Sequence, residues 1–443
     1  MNRRFQTTKN WTGHVIIFFS LCGLVVLQQI RPLFHITLDG GEDKTAVRDE
    51  EELDTNTVKD LLREQPPKIS SDFLESSTTT IYKNTKLLIP IVQAHERPTC
   101  SERGCLYIYW TGKPIMPTMY LACIESAVKV FGQSNVIVVS NTLANAVHHV
   151  STTTLGSNKQ QQQEQQQQQA DLIESMIYTI QDWFPTIWNI TKYDLVNEIV
   201  VDPYMPQHTK NVTLWTQFLH SIQSSLAHEA DFMRIALVYL YGGMYGDIDS
   251  IWIKSIPIVY PTNNINNTNN TNNNPTTNSK SLFRVRVDLR KRRDGKLVRT
   301  NDYNYTSNAI VGGTKQSKFY REVLSLMPYS YDPNVWTCIG ENILIPSISK
   351  CNCVNDFVEV EYKHMYGIYG YDAPKYYTTK LDLEKNHEDR KILLHVLKNS
   401  KQLHLFGSKT KADHDVVPVY GSLYYHVLRT LNLTTQVNFT TTT

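Results

Sequence analysis

Asp247-Ile-Asp249 sets two carboxylates two positions apart, directly after Tyr241-Gly-Gly-Met-Tyr-Gly246. Glycine takes left-handed conformations at little cost, so Gly242-Gly243 should stop a helix and release an extended chain. In a strand, residues i and i+2 project to the same side. The spacing therefore predicts both carboxylates together at a strand end, roughly 7 Å apart. Two hard oxygen ligands so placed can hold a divalent cation that keeps coordination positions for phosphate oxygens. Such a cation would neutralise a departing diphosphate. A bare Asp-X-Asp triplet arises often by chance and describes a solvated turn equally well, so the frame around it has to give it meaning.

The element just upstream supplies part of that frame. Ala230–Tyr241 reads as a strongly apolar helix whose charged residues are Asp231 and Arg234. A carboxylate at a helix start favours the dipole and can cap free amides. Arg234 follows three positions on, on the same face. The plain alternative for the pair is a helix-start salt bridge. Upstream again, Leu106–Trp110 and Asn135–Val139 read as buried strands around a helix at Met119–Phe131, a βαβ unit and hence a parallel sheet. Leu172–Trp183, Leu214–Leu226 and Lys318–Leu326 carry helical spacing, while Ile248–Ile253 and Leu403–Phe406 read as strands. Alternation of this kind predicts an α/β fold with ligand groups at the carboxyl ends of strands.

Taken whole, the run Ala230-Asp-Phe-Met-Arg through Tyr241-Gly-Gly-Met-Tyr-Gly-Asp-Ile-Asp249 resembles the sugar-binding region of the DXD-containing glycosyltransferases. It looks most like family 32, the α1,4-galactosyltransferase and α1,4-N-acetylglucosaminyltransferase group. Tyr120-Leu-Ala-Cys-Ile-Glu-Ser-Ala, Tyr305-Thr-Ser-Asn-Ala-Ile, Trp336-Thr-Cys-Ile-Gly-Glu-Asn and Leu403-His-Leu-Phe-Gly-Ser-Lys extend the likeness from about residue 104 to 425. The resemblance implies a GT-A (Rossmann-like) fold and a retaining transfer of a hexose or N-acetylhexosamine. It also implies a nucleotide-sugar donor (most often a UDP-sugar), a manganese ion, and a glycan or glycolipid acceptor. Residue by residue, it implies Asp247, Asp249 and His404 as metal ligands, with Asp249 the direct one. Asp231, Arg234, Tyr241, Gly243 and Asn308 would contact the donor, and Gly407 with Lys409 would clamp its diphosphate. Lys411 is an alternative, because the Lys409 spacing is one short of a related family's pattern. Glu341 replaces the usual proline after the loop glycine. It would either sit beside the reacting carbon or cap a helix.

Composition narrows the rest. The chain has 443 residues, 41% hydrophobic and 19% charged, which excludes a wholly disordered or fibrous protein. The 44 basic against 42 acidic residues leave a net charge of +2, too small for a protein held by nucleic-acid phosphates. Trp11–Ile30 is a twenty-residue stretch without Asp, Glu, Lys or Arg, long enough for a bilayer core of about 30 Å. Arg3, Arg4 and Lys9 precede it, which predicts a cytoplasmic tail at 1–10, a signal-anchor at 11–30 and the remainder in a lumen. The competing reading is a cleaved signal peptide, for which Gln28-Gln29-Ile30-Arg31 is a poor cleavage site. The expected protein is thus a single-pass type II membrane protein, with a stem at 31–98 and a lumenal catalytic domain at 99–443, and the resemblance implies that the membrane is that of the Golgi. Seven Asn-X-Ser/Thr triplets from Asn189 onward, and six cysteines beyond the span, agree with a lumen. Low-complexity inserts are expected at 151–170, rich in glutamine, and 261–280, rich in asparagine, as surface excursions. Two other functions remain: a non-catalytic lumenal carbohydrate-binding protein on the same fold, and a cell-surface adhesion protein displaying its Asn/Thr tracts.

Overall fold

The computed structural model describes residues 89–100, 104–152, 163–256, 282–286, 289–291, 297–299, 306–335, 338–412, 416–435 and 437. The chain divides into two units, Met1–Lys59 and Asp60–Thr443, and every described residue lies in the second. The expected tail, anchor and most of the stem, Trp336, Thr337 and the 261–280 insert lie outside the described residues. Among the described residues no helix is long and apolar enough to cross a membrane.

Twelve strands are described: β1 (Ile91–Gln93), β2 (Leu106–Tyr109), β3 (Val136–Val139), β4 (Thr186–Asn189), β5 (Gly243–Gly246), β6 (Ser250–Trp252), β7 (Leu282–Arg286), β8 (Leu289–Lys291), β9 (Leu297–Arg299), β10 (Thr306–Gly313), β11 (Phe357–Glu361) and β12 (Gln402–His404). Eight of them form one sheet in the order β1-β4-β3-β2-β5-β10-β7-β11. Strands β1 to β5 of that order run parallel; β10 is antiparallel to β5 and β7, and β11 is parallel to β7. The result is a mixed α/β fold with a largely parallel sheet, as the βαβ spacing predicted. Strand β1 comes from within the 31–98 tract, so the sheet starts before residue 99. Strand β12 pairs antiparallel with β6, setting His404 opposite Ser250.

Alternation decides which face each strand residue serves. Leu106, Ile108, Val136, Val138 and Met244 pack into one hydrophobic cluster, while Tyr107, Ile137, Val139 and Tyr245 pack into the other. Both faces being covered is why these strands read as continuous apolar runs. On the first face lies α1 (Thr118–Phe131); the second is covered by α3 (Lys192–Val201), α4 (Val212–Ile222), α5 (Leu226–Tyr241) and α6 (Lys318–Ser330). Between α1 and α3 comes α2 (Gln163–Ile180), which begins inside the glutamine tract. Glutamine has good helix propensity, so the tract extends a helix that Leu172–Ile180 would form anyway. Further on are α7 (Glu341–Cys351), α8 (Tyr362–Tyr366), α9 (Gly407–Thr410) and α10 (Leu423–Leu431).

Two departures concern the expected helix at Ala230. It starts four residues earlier, at Leu226, because Ser225 caps it by accepting from the His228 amide at 3.3 Å. Asp231 therefore lies in the second turn and does not cap the helix. The helix ends at Gly242, whose φ of +74° suits glycine, and Gly243 follows at +97°. A Cβ on Gly243 would fall 2.7 Å from the Cys105 carbonyl oxygen, which is backbone and cannot swing aside. Gly243→Ala is expected to cost roughly 3 kcal/mol through strain and clash, read as a lowered urea midpoint at unchanged slope.

The carboxyl-terminal segment is tied down by one buried acid. Glu125 on α1 is 1% exposed and accepts from the Thr434 hydroxyl at 2.8 Å and the Thr435 amide at 2.7 Å, with a further bond from the Thr434 amide. Burial alone would raise this carboxyl, but the threonine donors outweigh it and hold it below the ordinary glutamate value. A lowered folded-state value means the stabilisation is present above the unfolded value and is lost as pH falls through the folded one. Acid titration of unfolding should therefore show stability falling below the ordinary glutamate range, and Glu125→Gln should flatten that slope.

Cysteine pairing is sparser than the count permits. Cys100–Cys105 and Cys351–Cys353 form disulfides, whereas Cys123 and Cys338 are buried thiols. Burial pushes the Cys123 thiol well up, consistent with a core residue.

Candidate active site

Strand β5 ends at Gly246, and Asp247-Ile-Asp249 forms the turn between β5 and β6. The two carboxylates do face together, but because a turn brings them together and not through strand alternation. Neighbouring backbone fixes each end of that turn. The Asp247 amide donates to the Ala309 carbonyl at 3.0 Å, and the Asp249 carbonyl accepts from the Leu405 amide at 2.7 Å. The second contact carries His404 to the same place. One ligand atom each from Asp247, Asp249 and His404 lies within 4.8 Å of the others. His404 Nε2 is 3.4 Å from Asp249 Oδ1 and 3.8 Å from Asp247 Oδ2.

Electrostatics bind the cluster to α5. Arg234 sits 3.1 Å from Asp247 Oδ1 and 3.2 Å from Asp231 Oδ1, lies over the Tyr245 ring at 5.0 Å, and donates to the Asn308 carbonyl. The Asn308 amide group returns a 2.7 Å bond to Asp231. Burial would favour loss of the Arg234 proton, but Asp247 and Asp231 more than offset it and keep the guanidinium charged. Burial raises the Asp249 carboxyl; the Asp247 charge adds to that, while His404 and the Gly407 amide oppose it. Burial likewise works against a charged His404, yet Asp249 and Asp247 outweigh it and raise its value.

This donor set fits a divalent cation in the chemistry of its ligands: two carboxylates and an imidazole suit manganese. His404 Nε2 is buried without a hydrogen-bond partner and faces both acids. On the far side of the ring, Nδ1 accepts from the Phe406 amide at 3.0 Å. That bond leaves the ring proton on Nε2, as inferred from the hydrogen-bond pattern. Ligation through Nε2 therefore requires the proton on Nδ1 and the Phe406 amide turned away. The carboxylates fit directly, and the imidazole fits after that exchange.

Gly407, expected at a diphosphate, donates its amide to Asp249 Oδ2 at 2.8 Å. A Cβ there would meet the Tyr120 hydroxyl at 2.6 Å and Asp249 Oδ2 at 3.5 Å. Tyr120, which sequence reasoning did not single out as a site residue, thus borders the cluster. Its signal was positional: it lies in the first turn of the helix after β2, at the carboxyl end of a parallel strand. Lys409 is an exposed residue of α9, and its ammonium lies over the Phe406 ring at 5.6 Å. Glu341 is the first residue of α7, and Gly340 before it packs against Asn308 and Asp231, where a Cβ would fall 2.4 Å from Asn308 Nδ2. Tyr241 and Gly243, expected at the donor, are instead at the opposite end of β5 from Asp247. Tyr241 donates its hydroxyl to Glu198, lies edge-on to Trp188 at 4.8 Å and has Arg97 over its ring at 5.2 Å. Tyr241 closes α5 and Gly243 opens β5, so the two residues flank the helix-to-strand passage, with three strand residues between Gly243 and Asp247.

Residues 119–272 match the family model described as the glycosyltransferase sugar-binding region containing DXD motif. The matched stretch holds Asp231, Arg234, Asp247 and Asp249. No curated protein matches the chain. Similar solved structures include the PaToxG glycosyltransferase, at 12% identity over 74% of this chain and 85% of that one, with a TM-score of 0.35. The UDP-bound glycosyltransferase domain from the YGT toxin is 10% identical over 65% and 88%, at 0.34. The catalytic domain of alpha-toxin from Clostridium novyi is 13% identical over 77% and 78%, at 0.24.

Proposed function

We propose that this protein is a metal-dependent, retaining glycosyltransferase that moves a hexose or N-acetylhexosamine from a UDP-sugar to a glycan or glycolipid acceptor. The observation that carries the reading is the convergence of Asp247, Asp249 and His404 within 4.8 Å beside the buried Asp231–Arg234 pair. A divalent cation held by those three side chains would supply charge neutralisation for the leaving nucleoside diphosphate. The protein's own groups do the positioning. Arg234 fixes Asp231 and Asp247 at once, while Asn308 orients Asp231, leaving a carboxylate set to accept bonds from donor hydroxyls. Gly407 keeps Asp249 turned inward. Lys409, in α9 two residues beyond Gly407, is assigned to the donor diphosphate, and Glu341, opening α7 beside Gly340, to the neighbourhood of the reacting carbon. The DXD match and the likeness to the α1,4-galactosyl and α1,4-N-acetylglucosaminyl group favour those two donor sugars. The charge-free Trp11–Ile30 stretch, with basic residues before it, supports a type II Golgi membrane location.

The test is a donor panel on the full-length protein in detergent. UDP-galactose, UDP-N-acetylglucosamine and GDP-mannose are each offered with manganese, and released nucleoside diphosphate is measured. Release from a UDP-sugar that EDTA abolishes is the expected result. A folded protein that hydrolyses none of the donors and binds no UDP overturns the enzyme reading and leaves the carbohydrate-binding one.

A further inference from the structure

His404 stands on a strand with little support of its own. Strand β12 is three residues long and forms a two-stranded sheet with β6. Antiparallel pairs alternate between those that exchange backbone hydrogen bonds and those that do not. The Leu405 amide donates to the Asp249 carbonyl at 2.7 Å, and the Ile253 amide to the Lys401 carbonyl at 2.8 Å. Leu405/Asp249 and Lys401/Ile253 are thus bonded pairs, which makes His404, opposite Ser250, a member of an unbonded one. Its carbonyl therefore points away from β6 into packed protein, where leaving it unpaired would be costly. The Tyr424 hydroxyl, on α10, donates to that carbonyl at 2.7 Å, and the Tyr424 side chain is fully buried. The His404 carbonyl and the Leu405 amide belong to one planar peptide unit. Asp249 holds one edge of that plane and Tyr424 the other. The plane in turn sets the direction in which the imidazole leaves the backbone. The other local restraint, the Phe406 amide on Nδ1, is the one that ligation through Nε2 gives up. The clamp on the peptide plane stays.

We propose that Tyr424 is a positioning residue for the cation site: its hydroxyl fixes the peptide that aims His404 at Asp247 and Asp249, without itself touching metal or substrate. This rests on the reading of the protein as a metal-dependent glycosyltransferase. Groups that orient a metal ligand typically change metal affinity by about 10- to 100-fold when they are removed. Tyr424 is itself firmly set. Ser422 caps α10 by accepting from the Tyr425 amide at 3.2 Å, and the Tyr377 ring meets the Tyr424 ring edge-on at 5.0 Å. Tyr377 supplies a matched comparison within the same packing. It is equally buried and donates its hydroxyl to a backbone carbonyl at 2.6 Å, but that carbonyl belongs to Val416 and carries none of the cluster's side chains. Removing either hydroxyl deletes one buried bond; only the Tyr424 bond lies on the peptide that carries a ligand.

The test is a manganese titration of the full-length protein in detergent with UDP present, the free ion being followed by electron paramagnetic resonance. Tyr424→Phe should weaken manganese binding about tenfold or more, while Tyr377→Phe stays within about twofold of wild type. Both should lower the melting temperature by similar amounts, since each loses one buried hydrogen bond. In the metal-free protein the Leu405 amide should exchange with solvent about tenfold faster in Tyr424→Phe and at the wild-type rate in Tyr377→Phe. Ser422→Ala, which loosens only the first turn of α10, should weaken manganese about two- to threefold and keeps the test open if Tyr424→Phe does not fold. Undiminished manganese affinity in folded Tyr424→Phe overturns the proposal and leaves the transferase reading standing. So does an equal loss in Tyr377→Phe, which would make the effect one of general stability. With Tyr424→Phe unfolded, wild-type affinity in Ser422→Ala overturns it likewise. A wild type that binds no manganese overturns the metal-dependent reading and the proposal together.

Discussion

Asp249→Ala should reduce donor turnover by about 10³-fold or more while leaving the protein folded. Asp249 is the acid the loop after His404 is built around: Gly407 donates to its side chain and Leu405 to its carbonyl. Its carboxyl is raised by burial, so the folded state gains little from its charge, and its removal should not lower the melting temperature appreciably. Asp249→Asn retains an oxygen for the Gly407 amide and separates loop geometry from charge; it should lose activity nearly as fully as the alanine variant. A second readout is ligand stabilisation. Wild type should melt higher with manganese and UDP together, and that increment should vanish in both variants. Activity within tenfold of wild type in either one would remove Asp249 from the site.

Arg234→Leu should cost roughly 3–5 kcal/mol of stability, measured by urea unfolding. Arg234 is 6% exposed, and its guanidinium serves Asp231, Asp247 and the Asn308 carbonyl together. Without it, two acids in a poorly solvated site lose their shared cation, and one of them must take up a proton or draw in water. Arg234→Lys should recover only part of the loss, because a compact ammonium cannot span three acceptors as a planar fork does. Combining Asp231→Asn with Arg234→Leu should cost less than the two changes added, since with Asp231 already neutral the loss of Arg234 leaves one fewer buried carboxylate without its cation. A single Arg234→Leu variant within 1 kcal/mol of wild type would show that the network is not what holds α5 to the turn.

Much of the site was readable because its residues lie close together in the chain. Asp231, Arg234, Asp247 and Asp249 fall within nineteen residues, and local rules joined them: a three-residue step along a helix, a double glycine, a two-residue step beyond it. Those same rules misplaced details. The helix start was put at Ala230 since Ser225 caps from beyond the apolar run, and the acids were put on a strand since nothing local shows that β5 stops at Gly246. Tyr241 and Gly243 were grouped with the acids by their proximity in sequence; the structure sets them at the end of α5 and the start of β5, and the acids just beyond the far end of that strand. Strands β1 (Ile-Val-Gln) and β4 (Thr-Ile-Trp-Asn) went unseen because, unlike β2 and β3, they include polar residues and show neither a continuous apolar run nor an alternation.

The amino-acid sequence by itself determined the βαβ start, the apolar helix with its acid–base pair, the glycine break and the paired acids, because each depends on contacts between residues a few positions apart. Only the tertiary structure decided that His404 and Gly407 meet Asp249 across more than 150 residues, that Asn308 closes on Asp231, and that Tyr120 and Tyr366 border the same cluster. Those meetings follow from β12 pairing with β6 and β10 pairing with β5. Strand pairing across such separations is settled by the packing of the whole sheet, which no local pattern of residues encodes.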